Sequence, residues 1–285
     1  MVLTARIALV DMTGHIEDAE LARVATVLDL QIKRDLAQFW PVSATVSALT
    51  SPICIPTGVW PVYVVPTLDH DTAGFHSSIH NQPYVEVADG PSWSLAASHE
   101  IMEMLVDPGG NRLLAAPAIS LTENGTVRDE PGVLEYLLEI CDPSEGPDFA
   151  YLIDDVVVSD FYTPHFFDSR PIPGTRYSFT GALKAPRRVC KGGYMSWWNA
   201  RTERMERLDH TQPGKPPEII EIGRHLPNVS LREFADRYKR HRIRLSETEP
   251  QHPILASSRQ RAEHLRRDAY AHATHFRRRP RHIAE

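Results

Sequence analysis

Apolar residues along this chain change their spacing several times, and each change marks an element. "ARIALVDMTG" (5–14) is a short apolar run closed by a turn, the pattern of a buried strand. Beyond Ile16, residues Leu21, Val24, Ala25, Leu28, Ile32, Leu36 and Phe39 recur at three- and four-residue spacings. This predicts one long amphipathic helix over 16–40, stopped by Pro41. "ATVSALT" (44–50) and "WPVYVVPTLD" (60–69) are Val-rich with partial alternation and predict strands. "HDTAGFHSSIHN" (70–81) reads as a polar loop, and "QPYVEVADG" (82–90) as a strand at the sheet edge. A second helix follows over "SLAASHEIMEMLVDPGG" (94–110). Residues 109–132 read as loop and turn, with Asn124-Gly125 suited to a hairpin. "VLEYLLEICDP" (133–143) fits helix or strand, and 150–168 and 176–199 read as strand pieces with turns. Strand, helix, strands and helix in this order predict an α+β fold.

Charge changes the picture by dividing the chain. Residues 210–285 hold 16 Lys+Arg against 9 Asp+Glu, whereas 1–209 hold 15 against 28. Together with the Pro- and Gly-containing stretch "HTQPGKPPE", this predicts a body over 1–209 and a basic extension over 210–285. Ser230, with Glu233 three residues on, reads as the capping box of a helix in that extension. Its terminal arginines, Arg277, Arg278, Arg279 and Arg281, suit contact with an acidic partner or nucleic acid. The three cysteines, Cys54, Cys141 and Cys190, are too scattered for a disulfide framework or a thiolate zinc site. No apolar run reaches the about 18 residues of a membrane span, and the start lacks a signal-peptide pattern, so a soluble cytoplasmic protein is expected. Neither GxGxxG nor GxxxxGK[ST] occurs, which argues against a nucleotide enzyme.

The second helix carries the candidate chemistry. At about 100° per residue, Glu103, Asp107 and Glu100 fall about 40°, 80° and 100° from His99. The acids and the imidazole thus form one narrow stripe on a cylinder otherwise made of Leu95, Ile101, Met102, Met104, Leu105 and Val106. The stripe is either the solvated face of an amphipathic helix or a metal site. In the second case His99 and Glu103, one turn apart, reach a single ion, and Glu100 stands ready to take a proton from a water.

"HEIME" (99–103) resembles the metal-binding helix of the zincin metallopeptidases, His-Glu-x-x-His, with Glu103 in place of the second histidine. The order of a strand, a long helix, several strands and then this helix is similar to the zincin plan. The whole chain is also similar to an uncharacterised group of bacterial and phage zincin-like proteins. The resemblance implies a metal-dependent hydrolase, most simply a peptidase, with Glu100 as general base and His99, Glu103 and a downstream Glu as ligands. Glu139 is the expected third ligand and Asp142 its substitute or hydrogen-bonding partner, because a bare carboxylate is costly in so apolar a stretch. Zinc is the expected ion, although the carboxylates favour harder ions than a two-histidine set does. An extended peptide or protein substrate would pair with the edge strand at 82–88. Further candidates are Asp107, which also suits the end of the helix before Pro108, His76 in the polar loop, and His165 and Tyr162 as oxyanion donors. The rival reading is a binding or particle-assembly protein on the same scaffold, without turnover.

Overall fold

A computed structural model describes residues 4–50, 55–68, 72–226 and 228–236. The basic tail, His70 and Cys54 lie outside the described residues. The fold is mixed α+β. Its first sheet takes β1 (Thr4–Asp11), β2 (Ser43–Leu49), β3 (Val59–Val65), β4 (Gly74–Ile79) and β5 (Gln82–Ala88) in the order β2-β1-β3-β5-β4. All neighbours are parallel except β4, which runs antiparallel to β5.

β1 lies inside the sheet and is buried on both faces, which explains its unbroken apolar run. Ile7 and Leu9 enter the main core, while Ala8 and Val10 pack with Val59 on the opposite face. α1 (Asp18–Leu30) continues through a π-helical turn (Gln31–Asp35) and a 3-10 turn (Leu36–Gln38). Its periodic residues Leu21, Val24, Ala25, Leu28, Ile32 and Leu36 are buried as expected; Phe39 is only partly covered.

The edge of the sheet differs from expectation. The strand 82–88 lies between β3 and β4, so it is not an edge. The edge is β4, in the stretch read as a polar loop. Its sequence GFHSSI has little apolar signal because an edge strand can leave one face in water. The hairpin between β4 and β5 turns at His80 and Asn81, both with positive φ (50° and 62°), as a two-residue turn of this hand requires.

α2 (Trp93–Val106) follows β5 and packs on β5, β4 and a short strand further along the chain, Val156–Val158. A closed set of polar contacts joins it to α1. Ser98 Oγ donates to Gln31 Oε1 (2.8 Å), Gln31 Nε2 donates to the Ser159 carbonyl (3.0 Å), and the Ser159 N–H donates to Ser98 Oγ (2.9 Å).

Beyond α2, the stretch read as loop is a long hairpin of β6 (Leu113–Leu121) and β7 (Val127–Leu137), turning at the expected Asn124-Gly125. A register shift absorbs Pro131 and Gly132, the residues that hid the strand. With β10 (Tyr194–Asn199), β11 (Arg204–Asp209) and β12 (Glu218–Gly223), they form an antiparallel sheet in the order β12-β11-β10-β7-β6. β8 (Tyr151–Ile153) and β9 (Val156–Val158) make a separate hairpin. A single core cluster runs through both large sheets and both helices.

The boundary expected at 209/210 is not where the folded body ends. Residues 210–217 are a hairpin loop, and β12 completes the second sheet. Residues 231–236 then form a helical turn whose Arg232 is buried. Ser230 caps it as expected, its Oγ accepting the Glu233 N–H (3.0 Å). Among the described residues, no helix is long and apolar enough to cross a membrane.

Ser98→Ala leaves the buried Ser159 N–H and Gln31 carbonyl oxygen without their hydroxyl. The expected loss is about 1–3 kcal/mol, read from the urea midpoint. Ser94→Ala, whose hydroxyl reaches the Val157 carbonyl at a more open position, is the control and should cost less.

Candidate metal centre

The polar stripe of α2 is not solvated. Glu100, Glu103 and Asp107 are buried, with Glu103 at 0% exposure, and His99 retains only 12% for its side chain. This removes the amphipathic-surface reading. The stripe faces β4, the chain after β7 and the 230–236 segment, which all place polar groups against it.

Glu103 is the hub. Its Oε1 accepts the Cys141 N–H (3.0 Å). Its Oε2 has no aligned hydrogen-bond donor, although three cationic or potentially cationic groups surround it. His99 Nε2 stands 3.3 Å away, Arg232 Nη2 3.5 Å and His76 Nδ1 3.9 Å. His99 Nε2 is also 3.3 Å from Asp142 Oδ1, another buried oxygen with no aligned donor. Both oxygens of Glu139 are likewise buried without a hydrogen bond; Arg232 Nε is 3.3 Å from Oε2 but poorly aimed. A charge-assisted N–H···O contact is usually about 2.7–2.9 Å. Donor atoms sharing a tetrahedral ion at about 2.1 Å stand about 3.4 Å apart. The His99–Glu103 spacing is thus longer than a close charge-assisted pair and near that of two atoms on one ion, whereas Asp142 falls outside the group that His99 forms with Glu100 and Glu103.

His76 gives an independent chemical argument. Its Nε2 faces the Asp107 carbonyl at 3.2 Å, so Nε2 carries the hydrogen. Nδ1 then presents its lone pair toward Glu100 Oε2 (3.3 Å) and Glu103 Oε2 (3.9 Å). Facing lone pairs need either a proton or a cation between them. A backbone acceptor fixing one imidazole nitrogen so that the other can bind a metal is a recurrent arrangement. Two overlapping groups place their ligand atoms within 4.8 Å of one another: His76 with Glu103 and Glu139, and His99 with Glu100 and Glu103.

Local structure explains the convergence. α2 supplies His99, Glu100 and Glu103 at one-turn spacing. β4 supplies His76 from its inward-facing side. After β7 the chain leaves the sheet, and the irregular stretch through Cys141 into a 3-10 turn at Asp142–Ser144 carries Glu139 and Asp142 inward. Two glycines make room. A Cβ on Gly74 would stand 3.0 Å from Glu100 Cγ, and one on Gly193 would stand 2.5 Å from the Pro143 carbonyl oxygen.

The charges cannot all persist unaided. Burial, and then the charge of Glu103, holds the Glu139 carboxyl well above the usual range and pushes Asp142 up to about 7. For Glu103, burial acts the same way but is outweighed by the neighbouring charges of His99 and Arg232, which keep it ionised. Burial opposes the charge on His99, yet Glu103 and Asp142 raise its proton affinity well above normal.

The remaining expected residues divide. Tyr162 is buried, stacked on Phe166 (centroids 4.4 Å apart), with its hydroxyl unpaired. Burial and then the charges of Glu139, Glu103 and Asp142 raise the pKa of its hydroxyl well above the usual value, so the phenol beside the cluster keeps its proton. Asp107 is not a ligand: its carboxylate accepts the N–H groups of Asn111 (3.1 Å) and Arg112 (2.7 Å) and shapes the end of α2. His165 is not at the site. It lies exposed in the 164–167 turn, where it pairs with Asp168 at 3.0 Å. Sequence reasoning missed Arg232, whose Nη2 donates to Glu100 Oε2 at 2.8 Å. Only its place just inside the Ser230 cap marks it in the sequence.

Comparison with known proteins gives no matching family model, no matching curated protein and no matching solved structure.

In metal-free protein, Asp142 holds its proton up to about 7 when folded but only to its ordinary value, about 4, when unfolded. Between those values the folded state binds more protons, so stability falls as pH rises. Glu139 acts in the same sense, and His99 extends the loss to higher pH. The melting temperature of chelator-treated protein should fall from pH 5 to pH 8, and Asp142→Asn should flatten that slope. A melting temperature that rises over this range would contradict the assignment.

Proposed function

We propose that this protein is a metal-dependent hydrolase of zincin-like type, with a peptide as substrate, whose divalent cation is held in the cluster around Glu103. The observation that carries this reading is the set of buried carboxylate oxygens, on Glu103, Glu139 and Asp142, left without hydrogen bonds beside two imidazoles. Unpaired buried carboxylates are costly, and a divalent cation answers that cost directly.

Glu103 is the central ligand. Glu139 is the second carboxylate, and His99 and His76 are the imidazoles that flank Glu103. The donors are nitrogen and oxygen only, which suits zinc and also harder ions such as manganese. Such an ion supplies Lewis acidity, polarising a carbonyl and acidifying a water. The chain's own contribution is to place Glu100, whose carboxylate sits one residue from His99 and accepts the proton of the attacking water. In the cation-free chain burial would raise its proton affinity, but Arg232 above all keeps it ionised. Asp142 contacts His99 and orients it, and the Tyr162 hydroxyl is a free donor for a developing oxyanion. The order β1, α1, β2, β3, the antiparallel edge strand β4, the interior strand β5 and then the metal helix supports the zincin-like reading. The edge open to strand addition is β4, so an extended substrate pairs there rather than at 82–88.

A second reading is favoured by Arg232. Its ion pair with Glu100 and the near-complete burial of the cluster suit a binding or assembly protein that keeps the scaffold without turnover.

Elemental analysis of purified protein is expected to find one divalent ion per chain, and Glu103→Gln to lose it. Glu100→Gln should keep the ion and lose peptide hydrolysis by about 10²–10⁴-fold. Metal bound without hydrolysis in the wild type would support the scaffold reading. No stoichiometric metal would sink both.

A further inference from the structure

Arg232 is not a passing surface contact. Its guanidinium touches the Oε2 atoms of three carboxylates: Glu100 at 2.8 Å, Glu139 at 3.3 Å and Glu103 at 3.5 Å. Nη1 also donates to the His76 carbonyl (2.7 Å), which seats the group against β4. The segment that carries it is docked through its backbone. The Arg232 N–H donates to the Gly110 carbonyl (3.0 Å) and the Leu231 N–H to Asn111 Oδ1 (2.9 Å), while the Phe234 N–H, donating to the Ser230 carbonyl (2.9 Å), closes the segment's own turn. Gly110 has φ +64°, and a Cβ there would stand 3.0 Å from Ser230 Oγ and 3.1 Å from Arg232 Cβ. The loop after α2 is therefore shaped to receive this segment.

We propose that Arg232 and a divalent cation are alternative occupants of the carboxylate cluster, so that the 230–236 segment is an intramolecular latch that withdraws when the cation binds. The inference rests on the cation reading above and adds its regulation. Its geometry is simple. Glu103 Oε2 and Glu139 Oε2 are the atoms a cation would take, at about 2.0–2.2 Å. They are the same atoms the guanidinium faces. Both cations in place would put like charges within a few ångströms inside a buried site, where screening is weakest. The guanidinium also shields the cluster from solvent, so its departure does two things at once. It frees the Glu100 carboxylate, and it opens a path from the surface to Glu103 and Glu139. An extended chain entering along β4 would meet the opening where the Arg232 side chain now contacts His76.

The test uses the full chain, stripped with a chelator and titrated with zinc in a calorimeter. Arg232→Met is expected to bind zinc at least tenfold more tightly than the wild type, and Arg232→Lys, which keeps the charge, to stay near it. Asn111→Ala removes a docking contact outside the cluster. It should give a smaller gain in affinity and keeps the test open if Arg232→Met fails to fold. Hydrogen exchange on the wild type gives a readout independent of any variant. On adding zinc, the amides of Leu231, Arg232 and Phe234 should exchange at least tenfold faster. If the variants bind zinc no more tightly than the wild type, or those amides keep their protection in the zinc-bound protein, the latch is overturned while the cation site stands. If no chain binds zinc or manganese, the cation reading falls and the latch with it.

Discussion

Four carboxyl groups, those of Glu100, Glu103, Glu139 and Asp142, leave water together in the middle of this fold, and the surrounding structure depends on how their charge is met. An ion buried without compensation costs several kcal/mol, even after relaxation (order of magnitude). The protein answers with different devices on different oxygens. Glu103 receives a backbone N–H from Cys141 on one oxygen. Glu100 receives the guanidinium of Arg232. Glu139 and Asp142 have only loosely aimed neighbours, Arg232 and His99, and burial raises their affinity for a proton. The arrangement is held by neighbours of unusual closeness: Gly74 beneath Glu100, Gly193 against the Asp142–Pro143 carbonyls, and Gly110 under Arg232. Each is a place where a side chain would push a carboxylate or its partner out of reach.

Much of this was legible in the sequence, and the reason is local. The stripe of α2 can be read because a helix has a fixed period, so His99, Glu100 and Glu103 must share a face wherever the helix goes. Whether that face is buried was not legible: the apolar residues around the rest of the cylinder mark a packed helix but leave its polar stripe free to face either water or a site. Glu139 and Asp142 were legible for a different reason: acids in an apolar stretch need an explanation. The parallel strands β1 and β3 announced themselves by apolar runs because both their faces meet other elements, while β2, at the opposite edge with Thr45 and Ser47 exposed, showed only as partial alternation.

The failures have physical causes too. β4 was read as loop because an edge strand needs hydrogen bonds on one side only and shows one apolar face at most; Gly74 and two serines finish the disguise. The consequence was that β5 took the role of edge in the sequence reading, and His76 was placed in a loop rather than on the strand that aims it at Glu103. β6 and β7 were hidden by Pro117, Pro131 and Gly132, which a register shift tolerates. Arg232 is the clearest case. It is 132 residues from Glu100, and no spacing rule connects them. The basic composition of 210–285 even pointed away from it, because an average over a segment conceals the burial of a single arginine such as Arg232. His165 failed for the opposite reason. A histidine between aromatic residues looks significant, yet the 3-10 turn at 164–167 leaves its ring in water.

A buried ionic cluster is a poor way to gain stability, since a well-packed apolar set of similar volume does as well or better. The features of this one therefore bear on what it binds. Protons on Glu139 and Asp142 neutralise charge, and the one on Glu139 can be donated to Glu103, but the remaining lone pairs of these buried oxygens meet no aligned donor. The guanidinium of Arg232 pairs closely with Glu100 and only loosely with Glu103 and Glu139, because one planar group cannot align with three carboxylates at once. A small dication has neither defect. It replaces both protons and accepts lone pairs from several directions, including that of His76 Nδ1, which neither a neutral tautomer nor Arg232 satisfies. On the cation reading proposed above, Glu103 Oε2 is the atom on which the demands converge, since it belongs to both groups of candidate ligands and has no aligned donor of its own.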